Sequence, residues 1–316
     1  MRTSFSKSMY ISSEMIIDQV INTRILLSPL NWGMGHVSRC IGLIDRLRSQ
    51  NNTVIVACSE AQQAIFGQYF PDLTFIDHDG YPFEFKGKGN FGMDLMNKSP
   101  SLYRRLKKER IEIESYVKEH LIDLILSDHR YGFRSDSVKS IFIAHQVNLP
   151  VRIHEKIVGM IHNKYLSSFD HIWVLDYPDF RLAGDLSESK RSNVSYIGPF
   201  SRFSRYDRPG LMEVENVLIA SGPNVYAQKL IDEVCSNTKF SEDLIVLHNG
   251  DLNVPEGIRT ITGDWLDQDA CLLKAKHIIS RSGYSTIMDC LHLGAATTFI
   301  PTKGQREQEY LAKIHS

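Results

Sequence analysis

The chain has 316 residues, of which 42% are hydrophobic and 23% charged, and its formal net charge is -1. This is enough apolar material for a packed core, and the length favours two domains over one. The charge balance argues against a nucleic-acid partner, and no apolar run approaches the ~18 residues of a membrane-spanning helix. Five cysteines at scattered spacings form no CxxC pair, so the sequence favours neither disulfides nor a zinc site and fits a cytoplasmic protein.

The N-terminal part of the sequence divides into an extension and a first domain. Residues 1–23 lack the apolar stretch of a signal peptide, and we predict an N-terminal extension there. Over residues 24–197, short apolar runs alternate with amphipathic segments. The predicted strands are 24–28, 53–57, 73–76, 121–126, 141–144 and 171–175, and the predicted helices are 37–47 and 60–69. A helix-like stretch also separates the fourth and fifth strands. This alternation predicts an α/β domain with a parallel, doubly wound sheet.

The second half of the sequence repeats the pattern after a change in composition. Residues 198–210 (GPFSRFSRYDRPG) carry no periodicity, and we predict an interdomain linker there. Residues 211–316 form the second domain, with predicted strands at 217–220, 244–247, 258–261, 277–280 and 297–300 and helices at 225–235, 266–275, 284–293 and from 305 onward. Two such Rossmann-like domains leave a cleft between the carboxyl edges of their sheets, where ligands bind.

A glycine-rich motif follows the first predicted strand, in the segment 31–36 (NWGMGH). Gly33 and Gly35 allow the backbone to approach a ligand closely and to adopt positive φ angles. His36 begins the helix, where its side chain can point into the cleft and act as a general base, and Arg39 follows one turn later. The alternative is an ordinary strand-to-helix turn, because a lone GxG is a weak signal.

Polar residues follow two further strands of the first domain. Asp128 can orient a histidine or serve as the base itself, while His145 and Gln146 can bind acceptor hydroxyls. The alternative is that these residues cap helices and satisfy loop backbone. Their convergence at one sheet edge favours a site. The catalytic candidates are His36 and Asp128, and the acceptor-side candidates are Gly33, Gly35, Arg39, His145 and Gln146.

Three polar turns open helices in the second domain, in the segments 220–224 (ASGPN), 280–286 (SRSGYST) and 302–308 (TKGQREQ). Exposed N–H groups and the helix dipole favour an anion at such a terminus, so a diphosphate fits the second turn without a metal. Asp289 can accept hydrogen bonds from ribose, and Gln308 can reach sugar hydroxyls. Taken singly, each is an ordinary βα loop. The donor-binding candidates are Ser221, Gly222, Arg281, Ser282, Gly283, Tyr284, Ser285, Asp289, Gln305 and Gln308.

At these residues the sequence resembles GT-B glycosyltransferases of the family 28 type, the group that includes the lipid II-forming peptidoglycan N-acetylglucosaminyltransferase. The most specific part of the resemblance is the block 280–308 (SRSGYSTIMDCLHLGAATTFIPTKGQREQ), which is similar to the family's donor-site signature. The family's ribose-binding glutamate falls on Asp289 and its sugar-contacting glutamine on Gln308. The segment 33–36 is similar to the family's GxGH turn, and 145–148 to a loop near the acceptor.

The resemblance implies an inverting, metal-independent transfer of a hexose or N-acetylhexosamine from a UDP-sugar, with no cofactor. His36, or Asp128 as second choice, would deprotonate the acceptor hydroxyl. N–H groups near Ser282 and Gly283, with Arg281, would hold the leaving diphosphate. Two alternatives stay open, a nucleotide-sugar 2-epimerase and a non-catalytic donor-binding subunit of a glycosyltransferase complex.

Two further expectations concern partners. Members of the family continue past the Gln-bearing helix, whereas this sequence stops at Ser316, so we expect a short C-terminal domain completed by further chain or by a partner chain.

The aromatic and glycine-rich segment 81–92 and the basic segment 104–110 predict a patch for a lipid-linked acceptor at the inner membrane face. The acceptor can instead be a saccharide. The alternative interpretation of the basic segment is a helix face exposed to solvent, with no membrane contact.

Overall fold

The computed structural model describes residues 16–82, 99–149, 156–207, 212–237 and 243–316. The first domain is built on a parallel seven-stranded sheet of order β3-β2-β1-β4-β5-β6-β7. Its strands are β1 (Arg24–Pro29), β2 (Thr53–Cys58), β3 (Thr74–Asp77), β4 (Leu124–Asp128), β5 (Lys139–Ala144), β6 (His171–Val174) and β7 (Val194–Tyr196). Its helices are α1 (Gly35–Ser49), α2 (Glu60–Tyr69), α3 (Ser99–Glu119) and α4 (Lys156–Leu166). The predicted doubly wound sheet is confirmed.

Three of these elements differ from the sequence prediction. The helices α3 and α4 and the strand β7 were not predicted, and the segment between β4 and β5 contains turns and no helix. The helix α3 is rich in charge, so only Leu106, Ile113 and Val117 mark its buried stripe. The strand β7 has only three residues, which is too short for an alternation signal.

The second domain has a parallel five-stranded sheet of order β10-β9-β8-β11-β12. Its strands are β8 (Val214–Ile219), β9 (Leu244–His248), β10 (Arg259–Thr262), β11 (Ala275–Ser280) and β12 (Ala296–Phe299). Its helices are α5 (Asn224–Cys235), α6 (Trp265–Leu273), α7 (Tyr284–Leu293) and α8 (Arg306–Ile314). Every element predicted for this half is confirmed to within a few residues.

Both sheets reverse their strand order at the centre, and this places the motifs. In the first sheet β1 lies beside β4, with Pro29 opposite Asp128. In the second sheet β8 lies beside β11, with Ile219 opposite Ser280. Ligands of open α/β sheets bind outside the carboxyl ends of the strands at such switch points. The polar turns after β1, β4, β8 and β11 are therefore at the two positions where this fold places a site.

The described parts of the predicted extension and linker, residues 16–23 and 198–207, contain buried residues. Ile17 and Val20 are buried in the core of the first domain, and the Asn52 side chain donates a hydrogen bond to the Val20 carbonyl oxygen. Ser201 and Phe203 are buried where the chain crosses between the domains. A polar composition without periodicity therefore does not by itself imply that these residues are exposed.

The two domains approach each other most closely along α1. A Cβ atom at Gly35 would lie 3.0 Å from Ser285 Oγ of α7, and one at Gly42 would overlap the Ser201 carbonyl oxygen. Gly35 and Gly42 are seven residues apart, so both lie on one face of α1. Small residues on this face let the helix lie directly against the second domain.

Candidate active site

The predicted base and its predicted partner are in contact. His36, in the first turn of α1, places Nδ1 2.8 Å from Oδ2 of Asp128, which ends β4. The histidine side chain is 14% exposed and the aspartate is fully buried. If Nδ1–H donates to the carboxylate, Nε2 carries the lone pair and can accept a proton. The geometry therefore supports His36 as the base and Asp128 as the residue that orients it.

Arg39 sets the charge of this pair. Its Nε lies 3.0 Å from Asp128 Oδ1, and its Nη2 contacts both Asp128 Oδ1 and, at 2.7 Å, His36 Nδ1. Nδ1 faces both Arg39 Nη2, which can only donate, and the Asp128 carboxylate, so these two contacts do not assign its proton. A base at His36 requires the tautomer in which Nδ1–H donates to Asp128. Burial would raise the pKa of Asp128, but Arg39 and then His36 hold it below its ordinary value. Asp128 is thus ionised and fully bonded, which disfavours it as the base.

The environment keeps His36 neutral at physiological pH. Burial, followed by the Arg39 charge, lowers the pKa of His36 to about 4, and Asp128 offsets only part of this. A neutral imidazole is the form a general base requires. His129 follows Asp128 directly, in a left-handed conformation with φ of 57°, and its ring centroid lies 5.6 Å from that of His36. Non-glycine residues in this conformation are strained and cluster at functional sites.

A stack of three rings connects the first domain to α7. The His145 ring lies 4.9 Å from His129 and 4.7 Å from Tyr284 between centroids. The Tyr284 hydroxyl donates to the Leu175 carbonyl oxygen. His145 and Tyr284, predicted to bind acceptor and donor, therefore contact each other. Gln146, the other acceptor-side candidate in this loop, is half-buried, and its Oε1 has no hydrogen-bond partner among the described residues.

A second residue of the C-terminal domain enters the cluster from α8. Glu307 Oε1 lies 2.9 Å from His145 Nε2, and Arg39 Nη1 lies 3.0 Å from His145 Nδ1. The polar residues of the N-terminal sheet edge thus form one chain of contacts that ends in the other domain. The sequence analysis did not single out Glu307; its only signal is its place in the first turn of the helix after β12.

The N-terminus of α7 has the character predicted for a diphosphate site. Its N-cap residue, Gly283, supplies no side-chain hydrogen bond, whereas in α6 the Asp264 side chain accepts from the Leu266 N–H. The unsatisfied N–H groups and the helix dipole make the first turn of α7 attractive to an anion. Ser285 Oγ donates to the Gly35 carbonyl oxygen at 2.7 Å, so this turn meets the N-terminus of α1.

Two predicted phosphate contacts have other partners here. The Arg281 guanidinium donates to the carbonyl oxygens of Tyr226, Ile300 and Pro301, and it is 9% exposed. Ser282 is fully buried, and its hydroxyl donates to the Gln308 carbonyl oxygen. Arg281 joins the turn after β11 to α5 and to the loop after β12, and Ser282 joins it to α8. A diphosphate at this turn would be held by backbone N–H groups, because these two side chains are already bonded.

Asp289 was predicted to bind ribose, but in the structure its carboxylate contacts protein groups. It is 5% exposed, and its Oδ1 accepts from Ser201 Oγ at 2.6 Å. Its Oδ2 accepts from Ser38 Oγ at 2.9 Å and from Arg202. Both oxygens therefore take part in the contact between the domains. The sequence-based role assumed an open cleft, whereas α1 lies directly on this part of α7.

The remaining donor candidates lie in turns of the second domain. Gln308 Oε1 accepts from the Thr302 N–H at 2.8 Å, which fixes the loop before α8. Gln305 is the exposed N-cap of α8. Ser221 and Gly222 lie in an exposed turn, where Gly222 has a φ of 97°. Gly33 has a φ of 121°, which confirms the positive φ expected for the first glycine turn.

Comparison with solved structures defines the class of protein. The chain is similar to the glycosyltransferase of kitacinnamycin, with a TM-score of 0.59 and 15% identity over 92% of this chain and 84% of that one. For the spinosyn rhamnosyltransferase SpnG the TM-score is 0.59 and the identity 15%, over 92% of this chain and 83% of that one. For MurG of Acinetobacter baumannii the TM-score is 0.52 and the identity 14%, over 92% of this chain and 82% of that one. At these identities the likeness establishes the fold, which is that of GT-B glycosyltransferases. No curated protein sequence matches the chain significantly.

The family assignment comes from the second half of the chain. Residues 207–314 match the glycosyltransferase family 28 C-terminal domain. This segment contains the block 280–308, so the match confirms the resemblance to family 28 in the part of the sequence where the resemblance is most specific. The matched domain and the GT-B fold are those of glycosyltransferases built from two Rossmann-like domains.

Proposed function

We propose that the chain transfers a hexose or an N-acetylhexosamine from a UDP-sugar to an acceptor hydroxyl, with inversion and without a metal. The observation that carries the proposal is the meeting of two helix N-termini, where Ser285 Oγ donates to the Gly35 carbonyl oxygen. This contact sets the His36–Asp128 pair beside the uncapped first turn of α7. A base and an anion site at adjoining positions are what displacement of a diphosphate requires.

In this mechanism the acceptor oxygen attacks the anomeric carbon while its proton passes to His36 Nε2. The bond between the anomeric carbon and the diphosphate oxygen breaks, and the electron pair leaves with the diphosphate. Asp128 stabilises the imidazolium that forms, and the N–H groups of α7 stabilise the negative charge that develops. Attack on the face opposite the leaving group inverts the anomeric configuration.

The donor is proposed to be a nucleoside diphosphate sugar. Structures of two similar proteins, SsfS6 of Streptomyces sp. SF2575 and the rhamnosyltransferase SpnG, are complexes with thymidine diphosphate. That ligand is the kind of product expected after sugar transfer, which supports a nucleoside diphosphate sugar as the donor. The uridine base and the sugar follow from the family resemblance. UDP-, TDP- and GDP-sugars therefore need direct comparison.

The acceptor is proposed to be a lipid-linked or free saccharide, with the protein in the cytoplasm at the inner membrane face. Among the helices of the described residues, none is long and apolar enough to cross a membrane. The exposed face of α3 carries Arg104, Lys107 and Lys108 beside Ile111, which is 74% exposed. Basic and apolar residues on one helix face favour peripheral binding to anionic lipid. Tyr81 is buried, and residues 83–92 lie outside the described part of the chain.

The deciding experiment is a transfer assay with labelled UDP-, TDP- and GDP-sugars against membrane and soluble extracts, followed by NMR of the product's anomeric proton. We expect transfer from a UDP-sugar, with the anomeric configuration opposite to that of the donor. Conversion of the UDP-sugar without an acceptor would instead identify an epimerase. Stable UDP binding with no transfer to any acceptor would identify a non-catalytic donor-binding subunit.

A further inference from the structure

A single arginine joins the helices that carry the two halves of the site. Arg202 lies where the chain crosses between the domains, and it is 9% exposed. Its Nε donates to Asp269 Oδ1 at 2.7 Å, and its Nη1 donates to Ser38 Oγ at 2.8 Å and to Asp289 Oδ2. One guanidinium therefore contacts α1, α6 and α7 at once.

The partners of Arg202 lie close to the proposed reacting groups. Ser38 is two residues beyond His36 on α1, and Asp289 is five residues beyond Tyr284 on α7. Asp269 also accepts a hydrogen bond from the Tyr69 hydroxyl of α2 at 2.7 Å, which extends the contact to a fourth helix. Arg202 therefore adds to the direct contacts between α1 and α7, in which Ser38 Oγ donates to Asp289 Oδ2 and Ser285 Oγ donates to the Gly35 carbonyl oxygen.

Charge and packing both favour a fixed arginine at this place. Burial would lower the pKa of Arg202, but Asp289 and Asp269 raise it above its ordinary value, so the side chain stays charged. Its guanidinium also lies 5.2 Å from the centre of the Trp265 ring. The planar guanidinium group donates hydrogen bonds in several fixed directions, so it can bond three partners at once. A lysine ammonium on its flexible chain cannot hold the same three partners in place.

We propose that Arg202 is a positioning residue for the transfer reaction, holding α1 and its His36 at the separation from the first turn of α7 that attack requires. This inference rests on the proposed function and deepens it. Arg202 acts through Ser38 and Asp289. The diphosphate is held by α7 itself, so loss of the Arg202 contact to α1 slows transfer and leaves nucleotide affinity unchanged. Small misplacements of reacting groups can cost roughly 10²-fold in rate.

The test removes each end of the contact separately. Ser38→Ala deletes the α1 end of the contact, together with the direct bond from Ser38 to Asp289, and leaves both carboxylates paired with Arg202. Arg202→Lys keeps the charge but removes the planar guanidinium and leaves the Ser38–Asp289 bond in place. The control is Ser49→Ala on the same helix, where an exposed hydroxyl donates to the Arg46 carbonyl oxygen. For each variant, kcat, the Kd for UDP and hydrogen exchange of residues 35–49 and 284–293 are measured.

We expect Ser38→Ala to lower kcat by roughly tenfold and Arg202→Lys by more, with the Kd for UDP within about twofold of the parent. Exchange should rise in both helices, and Ser49→Ala should match the parent throughout. Unchanged kcat and exchange in folded Ser38→Ala and Arg202→Lys would overturn the positioning role, as would a loss of UDP affinity equal to the loss of kcat. If the parent transfers no sugar, the proposed function fails, and the exchange measurement alone decides whether Arg202 holds the two helices together.

Discussion

His145 and Glu307 form a direct contact between the two domains, with Nε2 and Oε1 2.9 Å apart. Arg39 Nη1 lies 3.0 Å from the other ring nitrogen and can only donate, so the imidazole accepts at Nδ1 and donates from Nε2 to the carboxylate. Burial would raise the pKa of Glu307, but His145 and then Arg39 hold it below its ordinary value. The tautomer of His145 is therefore fixed from both domains.

Glu307→Ala should destabilise the folded chain. The substitution leaves the buried Nε2–H of His145 without its acceptor, and an unsatisfied buried donor costs ~1–3 kcal/mol. Urea unfolding of the variant measures the loss. Glu213→Ala is the matched control, because its exposed pair with Lys274 should contribute less than ~1 kcal/mol. Equal effects of the two substitutions would contradict the assignment of Glu307 to this contact.

His36→Ala should lower kcat by ~10²-fold or more, with the Kd for UDP close to that of the parent, because only the transition state uses the base. Asp128→Asn should also lower kcat, since an amide can stabilise the wrong tautomer of His36. Transfer assays and calorimetry with UDP measure both quantities. His120→Ala, after α3 at the opposite edge of the sheet, is the control. A folded His36→Ala variant that keeps most of its turnover would move the role of base to another residue.

Asp289→Ala separates two roles for this carboxylate. The structure pairs it with Arg202 and two serine hydroxyls, so its removal should lower the free energy of unfolding by ~3 kcal/mol or more, because a buried cation loses a partner. If this is its whole role, UDP affinity in the folded variant stays near that of the parent. Calorimetry with UDP alongside urea unfolding measures both effects. Weaker UDP binding at unchanged stability would instead support the ribose contact predicted from the family resemblance.

Much of this site could be predicted from sequence, because its residues end apolar runs. His36 and His145 come after β1 and β5 and Asp128 ends β4, and parallel strands bring such positions to one edge. Arg202 and Glu307 could not be found in this way. Their partners Asp289 and His145 are 87 and 162 residues away, and no local pattern encodes such a contact. For the same reason the family resemblance predicted ribose as the partner of Asp289, whereas in the fold the carboxylate contacts Arg202.

Chelation should leave transfer intact. The diphosphate is proposed to rest on the N–H groups and dipole of α7, which need no metal to stabilise its charge. With EDTA in excess over any trace metal, the rate of transfer should stay within about twofold of the untreated rate. Added Mg²⁺ or Mn²⁺ should have no effect after dialysis. Loss of activity with EDTA that returns with either ion would replace this mechanism with a metal-assisted one.

Stability should fall on acidification from pH 6.5 towards 4. Burial, the largest cause in each case, lowers the pKa of His36 and of His162 from 6.5 to about 4. Below pH 6.5 each of these histidines binds a proton in the unfolded chain but stays neutral in the folded chain. Each therefore lowers the free energy of unfolding by up to ~1.4 kcal/mol per pH unit between pH 6.5 and 4. Above pH 6.5 neither contributes. Urea unfolding at several pH values should show a shallower slope for His162→Gln, and a slope parallel to that of the parent would contradict the shift at His162.

The pairing of His145 with Glu307 also has a consequence for synthesis of the chain. The two residues are separated by 162 positions, so at ribosomal rates of ~5–20 residues per second roughly ten to thirty seconds pass between them. Once β7 has been synthesised, the carboxyl edge of the first sheet is complete except for its cross-domain partners. A first domain that folds at this stage does so with His145 hydrated, and α7 and α8 displace water from this edge when they later dock.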